Sequence, residues 1–591
     1  MERLWTPFGE QMNKELPLND YPRPQMARDS FLNLNGKWNY AILKKGEVRN
    51  GYQGEILVPF SPECILSGVE RMVTDEDVLY YERTFTYKKT NDRALLHFGA
   101  VDYLSKVTLN GKEVGTNRGG YYPFTFDVTD TIREGENVLQ VEVTDPSEKG
   151  HQARGKQTTA RGGIWYTPQS GIWQTVWIEE VPDNFLARIK LTPDIDKDEL
   201  TVELTFSKQC EKATLTVFDK GAEKTSVTCE DGTAKIRLSD YTCWSPENPY
   251  LYDLTVKAES DEVKSYFGMR KFSVGKDEKG VSRLMLNNKP YFHNGLLDQG
   301  YWSDGMYTAP TDEAMIYDIE MMKKMGFNML RKHIKIEPLR WYYHCDRLGM
   351  IVWQDMISGG TRENGKYDPR AIMIYPALNL GLGTKKFYWK DTEKNYKLYS
   401  RLDETGRKEY YVDSERMVEQ LYNVVSLAVW VPFNEGWGQF DSKKAEVFYR
   451  KLDPTRIIDL VSGFQDQGGG DMNSFHIYFT PFWFPKFDKN DDRVIVLSEF
   501  GGYSLTTDGH MFNTEKLFGY RKYTDREKFN KDLRKLYAKR VKKAIDRGLS
   551  ATVYTEVSDV EDELNGLLTY DRKVVKVDVE AFKAINDTIK L

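Results

Sequence analysis

Two stretches of this chain end an apolar run on a glutamate. In "AVWVPFNEGWGQF" (428–440) the run breaks at Pro432 and presents Asn434 beside Glu435, followed at once by Gly436 and Trp437. In "RVIVLSEFGG" (493–502) it ends on Glu499, followed by Phe500, Gly501 and Gly502. Two carboxyl groups in one pocket can cleave a glycosidic bond. One protonates the leaving oxygen, and the other, ionised, attacks the anomeric carbon. Mutual repulsion and partial desolvation would keep a proton on the acid near neutral pH. A strand-end glutamate in an ordinary salt bridge is the competing reading for either residue alone. Two such residues, each in its own marked context, favour the chemistry.

The elements that must position them follow from periodicity. After about residue 276, helical and strand patterns alternate. "DEAMIYDIEMMKKMG" (312–326) reads as a helix with a Thr311/Asp312 start and a glycine stop, and "EPLRWYYHCDRLG" (337–349) as another. The runs "FNMLRKHI", "MIVWQDM" and "SLAVWVPFN" read as buried strands. Further helices are expected near 413–424, in "DSKKAEVFYRKLD", over 525–547 and near 580–590. Such alternation predicts a C-terminal (β/α)8 TIM barrel over 276–591, with its chemistry at the C-terminal strand ends. Counting units places Glu435 and Glu499 on roughly the fourth and seventh strands. Residues 359–411 are too long for an ordinary loop and are expected to form an insertion over the rim.

The first 275 residues read as β-structure. "ALLHFGAVDYLSKVTLNGKEVG" alternates apolar and polar residues around the hairpin dipeptide Asn110-Gly111. Residues 1–185 are expected to form a jelly-roll β-sandwich. Residues 186–275, with five short strand-like runs, fit an immunoglobulin-like sandwich.

Composition narrows the partners. A formal net charge of −6 gives no basic footprint for nucleic acid. Aromatic residues make up 13% of the chain, which suits sugar faces as well as sandwich packing. The five cysteines (Cys64, Cys210, Cys229, Cys243, Cys345) are scattered and odd in number, so neither a disulfide framework nor a zinc site is expected. The first twenty residues lack a basic segment followed by an apolar one, and no apolar run approaches ~18 residues. The expectation is a cytoplasmic protein that does not engage a membrane.

"WVPFNEGWG" and "VLSEFGG" resemble the acid/base and nucleophile signatures of glycoside hydrolase family 2, the group that holds β-galactosidases and β-glucuronidases. "DYLSKVTLNGKEVG" resembles that family's N-terminal sugar-binding sandwich. "GMRKFSV" (268–274) resembles the link into its barrel. "LNNKPYFHNGLLDQG" and "MLRKHIKIEPLRWYYHCDRLGMIVWQD" resemble its first three barrel strands. The resemblance covers nearly the whole chain and implies a retaining double displacement, with Glu435 as general acid/base and Glu499 as nucleophile. It implies that Asn434 bonds the sugar 2-hydroxyl, His333 binds sugar, Arg331 supports the nucleophile, and Tyr478 donates a hydrogen bond to Glu499.

The sequence also departs from that family's pattern. Trp165 stands six residues before Gly171-Ile172, where an aspartate enters the sugar pocket. Gln299 stands where a histidine is usual, and Tyr554 and Glu556 where a tryptophan floor is usual. The glucuronidases read a uronate with an Asn-x-Lys pair. Here Asn565 is followed by Leu567 in the lysine position, which removes the main charge partner. The magnesium-binding cluster of the galactosidases is reduced to Asp355, so no metal and no cofactor are expected. Asp298, Gln299, Tyr301 and Trp302 are the candidates for reading hydroxyls, with Trp437 and Trp483 as stacking platforms. The reading is an exo-acting glycosidase that removes a neutral terminal sugar from an oligosaccharide or glycoside, by default galactose. A furanosidase and a non-catalytic carbohydrate-binding protein are the alternatives. Family members often form dimers or tetramers, and the resemblance leaves homo-oligomer formation open.

Overall fold

The computed structural model describes residues 3–591 apart from 30, 210, 362–387, 480–481 and 483–490. Residues 362–387 of the expected rim insertion and Trp483 therefore lie outside the described residues.

The N-terminal unit is a sandwich of a six-stranded and a four-stranded antiparallel sheet. Its strands alternate as the sequence does. In Gly135–Thr144, Leu139, Val141 and Val143 point into the core while Gln140 and Glu142 face outward. Strands Leu104–Leu109 and Lys112–Arg118 are joined by Asn110 and Gly111, both at positive φ (51° and 79°), the backbone that a two-residue hairpin requires. The second unit packs a three-stranded sheet on a four-stranded one around Leu200, Val202, Leu215, Ile236 and Leu254, an immunoglobulin-like arrangement.

The C-terminal unit is an eight-stranded parallel barrel. In chain order its strands are His293–Asp298, Met329–Lys332, Ile351–Asp355, Leu427–Val431, Ile457–Ile458, Met472–Ile477, Val494–Gly501 and Leu549–Thr555. Pairing runs from the fifth strand back to the first, then through the eighth and seventh to the sixth, leaving one seam between fifth and sixth. Asp471 bridges that seam. Its N–H donates to Ile458 O (2.8 Å), and its carboxylate accepts from Ile458 N (2.8 Å). A small sheet that includes Phe272–Lys276 and Ser282–Leu286 plugs the opposite end, packing Phe272, Leu284 and Leu286 on Leu297, Met329 and Val553. The first barrel strand thus begins at His293, after this plug.

The helices have ordinary causes. Asp312–Lys324 starts with the Thr311 hydroxyl accepting from Ala314 N (3.2 Å) and stops before Gly326 at φ +86°. One helix differs from expectation. It spans Glu404–Leu421, capped by Asp403, and so begins inside the stretch read as insertion. Gly406 in its first turn weakens the helical signal there. None of the described helices is long and apolar enough to cross a membrane. Cys64, Cys243 and Cys345 are free.

Candidate active site

Glu435 owes its position to a broken strand. Leu427–Val431 is buried throughout, Pro432 interrupts it, and Phe433–Asn434 resumes pairing with Val461–Ser462 beyond the fifth strand. Glu435 N then donates to Ser462 O (2.9 Å), and Trp437 N donates to Asn434 O (2.8 Å). Glu435 and Gly436 both take left-handed backbone, at φ +53° and +78°. For a glutamate this costs roughly 1 kcal/mol or more. The turn throws its carboxylate into the barrel mouth. Gly436 is required on two grounds, its φ and the approach of Gln465 Cγ to 3.0 Å of where a Cβ would stand.

Glu499 lies on the seventh strand, across the mouth. His476, from the sixth strand, sits between the two glutamates. Its Nδ1 is 2.7 Å from Glu435 Oε1 and 3.4 Å from Glu499 Oε2, and its Nε2 is 3.2 Å from Ser462 Oγ. One oxygen of each carboxylate and a ring nitrogen of His476 all lie within 4.8 Å of one another. Among the described residues this is also the one group of three such side chains close enough to hold a cation.

The shell around Glu499 fixes its charge. Tyr478 donates to Oε2 (2.6 Å) and is stacked flat on Tyr520 (3.6 Å between ring centres). Arg331, fully buried on the second strand, reaches Oε1 (3.3 Å). Burial alone would raise this carboxyl. His476 and Arg331 outweigh it and bring Glu499 down to about 2, so it stays ionised. Arg331 spends its remaining donors on Asp355 (2.9 and 3.0 Å), Ser498 O (3.0 Å) and Asn434 Oδ1 (2.8 Å), tying four strands together. With its oxygen taken, Asn434 keeps its amide NH2 as the donor for a ligand. His333 Nδ1 bonds Asp355 (2.6 Å). Burial, then the charge of Lys156, holds its ring far below the usual imidazole range, so it is neutral.

The alternation of the second strand explains why Arg331 and His333 face inward while Lys332 faces out, to Asp298 and Glu337 (2.7 Å each). That pairing directs Asp298 away from the mouth. Its second oxygen accepts from Gly300 N (2.9 Å). Trp302 is also directed elsewhere, under the Arg572 guanidinium (4.2 Å) and edge-on to Phe8. Tyr301 packs between Tyr307 and Tyr166. Trp165 and Trp437 are brought together, their rings 5.4 Å apart and 29° from parallel. Glu556 is fully buried just past the eighth strand, and Gln299 lies beside it. Tyr554 accepts from Tyr503 N (3.1 Å) within the core.

Three site residues were not singled out from the sequence: His476, Asp355 as a bonded support, and Lys156. A signal for His476 was present, because it lies two residues before Tyr478 in "SFHIYF" and so shares its face.

Comparisons with known proteins give the family and the fold. Family models match residues 68–174 (glycosyl hydrolase 2 galactose-binding domain-like), 184–270 (glycosyl hydrolases family 2) and 279–589 (glycosyl hydrolases family 2, TIM barrel domain). The chain belongs to glycosyl hydrolase family 2. It is 24% identical over 441 residues to a β-galactosidase of Thermoanaerobacter pseudethanolicus, a match that covers 66% of this chain and 57% of that protein. The chain spans about half the length of the curated relatives it matches. Its fold is shared with a β-glucuronidase from an uncultured Clostridium sp. (TM-score 0.72, 16% identity, 95% of this chain and 98% of that one). It is also shared with a β-galacturonidase of Eisenbergiella tayi bound to galacturonate (TM-score 0.69, 17% identity, 96% and 99%).

Proposed function

We propose that this chain is a retaining, exo-acting glycoside hydrolase. The observation that carries the reading is the pair of carboxylates from the fourth and seventh strands, with oxygens within 4.8 Å around His476. Retaining enzymes hold their carboxyl groups about 5–5.5 Å apart, and inverting ones leave room for a water at ~6.5–9.5 Å. Glu499, ionised, attacks the anomeric carbon while Glu435 gives its proton to the leaving oxygen. The glycosyl–Glu499 ester is then opened by a water whose proton passes to Glu435. Asn434 holds the sugar 2-hydroxyl, and Arg331 and Tyr478 keep the nucleophile aimed. His476 orients Glu435. A non-catalytic binding protein would have no use for so complete a shell around Glu499.

The expectation of a neutral terminal sugar rested on Leu567. In the structure Leu567 is fully buried and Asn565 Nδ2 donates to Glu563 (2.9 Å). A different ammonium, that of Lys156, stands in this site, so uronides join galactosides and furanosides as candidates. The test is hydrolysis of 4-nitrophenyl β-galactoside, β-glucoside, β-glucuronide, β-galacturonide, β-mannoside, α-arabinofuranoside and β-galactofuranoside, with Glu499→Gln as control. For the hydrolysed sugar, its 2-deoxy-2-fluoro analogue should leave a glycosyl group on Glu499, found by peptide mass spectrometry. Labelling elsewhere, or an inverted product, would overturn the mechanism.

A further inference from the structure

One segment of the N-terminal sandwich leaves its own core and crosses the barrel mouth. Residues 152–167 are pinned at both ends. Arg154 N and Gly155 N donate to Ser358 O (3.0 and 2.9 Å), and Arg154 Nη1 donates to Gly360 O (2.7 Å), both just beyond the third strand. At the other end Thr167 N donates to Glu561 (3.0 Å), and the Tyr166 hydroxyl bonds Glu563, both beyond the eighth strand. Between them Gly155, at φ +64°, lies against Ile334, next to His333. A Cβ there would stand 3.1 Å from Ile334 O. Tyr166 N donates to Lys156 O (3.1 Å) and so sets the direction of Lys156.

Lys156 is 7% exposed. Among the described residues its ammonium makes no hydrogen bond and no ion pair. Its near neighbours are the faces of Trp437 (5.6 Å) and Tyr166 (5.8 Å). Cation–π contact of this kind offsets only part of the cost of burying a charge. Buried charges are otherwise paired, and an exception asks for a ligand. The ammonium lies within Coulombic reach of Glu499 and His333 as well as of Glu563 and Glu556, and it stands over Trp437, two residues after Glu435, so it borders the carboxylate pair. Glu563 does not use it up, because its carboxylate is bonded by Tyr166 and Asn565. Glu556 does not either, because burial, then the charge of Glu563, pushes its carboxyl well above the usual carboxylate range. Glu556, with the Gln299 amide against it, stands beside Lys156. A group that offers acceptors would complete the ammonium.

We propose that Lys156, carried over the barrel mouth by the sandwich, is a specificity-determining residue that pairs with a carboxylate on the substrate's terminal sugar. The substrate class is then a uronide, bound through a residue of the N-terminal domain rather than through the Asn565/Leu567 segment. This rests on the sugar site assigned above.

The test uses the full chain, its Lys156→Met variant and the charge-preserving Lys156→Arg. Binding of D-glucuronate and D-galacturonate is measured by calorimetry against D-glucose and D-galactose, alongside kcat/KM on the matching nitrophenyl glycosides. A uronate is expected to bind at least ten-fold tighter than its neutral partner. Lys156→Met should collapse that ratio, in binding and in kcat/KM, by about 10²-fold, and Lys156→Arg should retain much of it. Neutral sugars bound as well as uronates by the wild type would overturn the proposal, as would equal losses on both classes in Lys156→Met. Uronate binding that depends on Lys156, with no hydrolysis of any glycoside, would uphold this proposal and remove the glycosidase reading instead.

Discussion

Replacing Glu435 by Gln changes little at this site except a proton. The Gln oxygen can still accept from His476 Nδ1, as Glu435 Oε1 does at 2.7 Å, and the main chain keeps its bond to Ser462 O (2.9 Å). The loss should therefore report proton transfer. General acid catalysis contributes about 10²–10⁴-fold, which is ~3–5.5 kcal/mol of barrier at 1.36 kcal/mol per decade. On an alkyl glycoside, whose leaving oxygen cannot depart as an anion, the full loss should appear in kcat/KM. On a 2,4-dinitrophenyl glycoside the leaving group needs no proton, and glycosylation of Glu499 should slow by less than about ten-fold. Opening of the ester would still lack its base, so rapid mixing should show a burst of one dinitrophenol per site followed by slow turnover. Azide, a nucleophile that needs no base, should restore turnover and give the glycosyl azide with retained configuration. Equal losses on both substrates with no burst would refute the role of Glu435.

Glu499→Gln should lower kcat by about 10⁴ or more, as loss of a nucleophile does, while the circular dichroism spectrum stays that of the folded protein; turnover within a few-fold of wild type would remove it from the mechanism. Because its folded-state value is depressed to about 2, ionised Glu499 adds stability above its unfolded value near 4.5, and that stability is lost as pH falls toward 2. The contribution is of order 3 kcal/mol, so melts of wild type and Glu499→Gln, taken from pH 6 to 3, should converge with acid. Arg331→Met leaves Asp355 and Glu499 as uncompensated buried charges and should cost about 3–5 kcal/mol, read as a fall in denaturation midpoint. His476→Ala should lower kcat with little change in KM, since the ring orients Glu435 rather than binding sugar; a purely KM effect would contradict that role.

The two glutamates were legible in the sequence because each ends an apolar run and is followed by glycine, and both signals are local. Asp298 was misjudged for a physical reason. Every residue of the first barrel strand is buried, on the lumen side or against the helices, so no polar alternation marks which way a side chain points. Its partner Lys332, on the neighbouring strand, decides the matter. Trp302 depended likewise on distant groups, Arg572 and Phe8. Lys156 could not be placed at all from the sequence, because it lies far from both glutamates along the chain and is carried to the barrel mouth only through a bridge of backbone hydrogen bonds.

That bridge has a consequence for the modular look of the chain. A barrel expressed without residues 1–185 would retain both glutamates and Arg331, yet its mouth would be an open trough, without the crossing segment and its lysine. The sandwich thus acts as part of the lock and not as a spacer. Changing residues 152–167 is a route to altering which sugars are accepted while the bond-breaking groups stay untouched. In this architecture selectivity and chemistry can drift at separate rates.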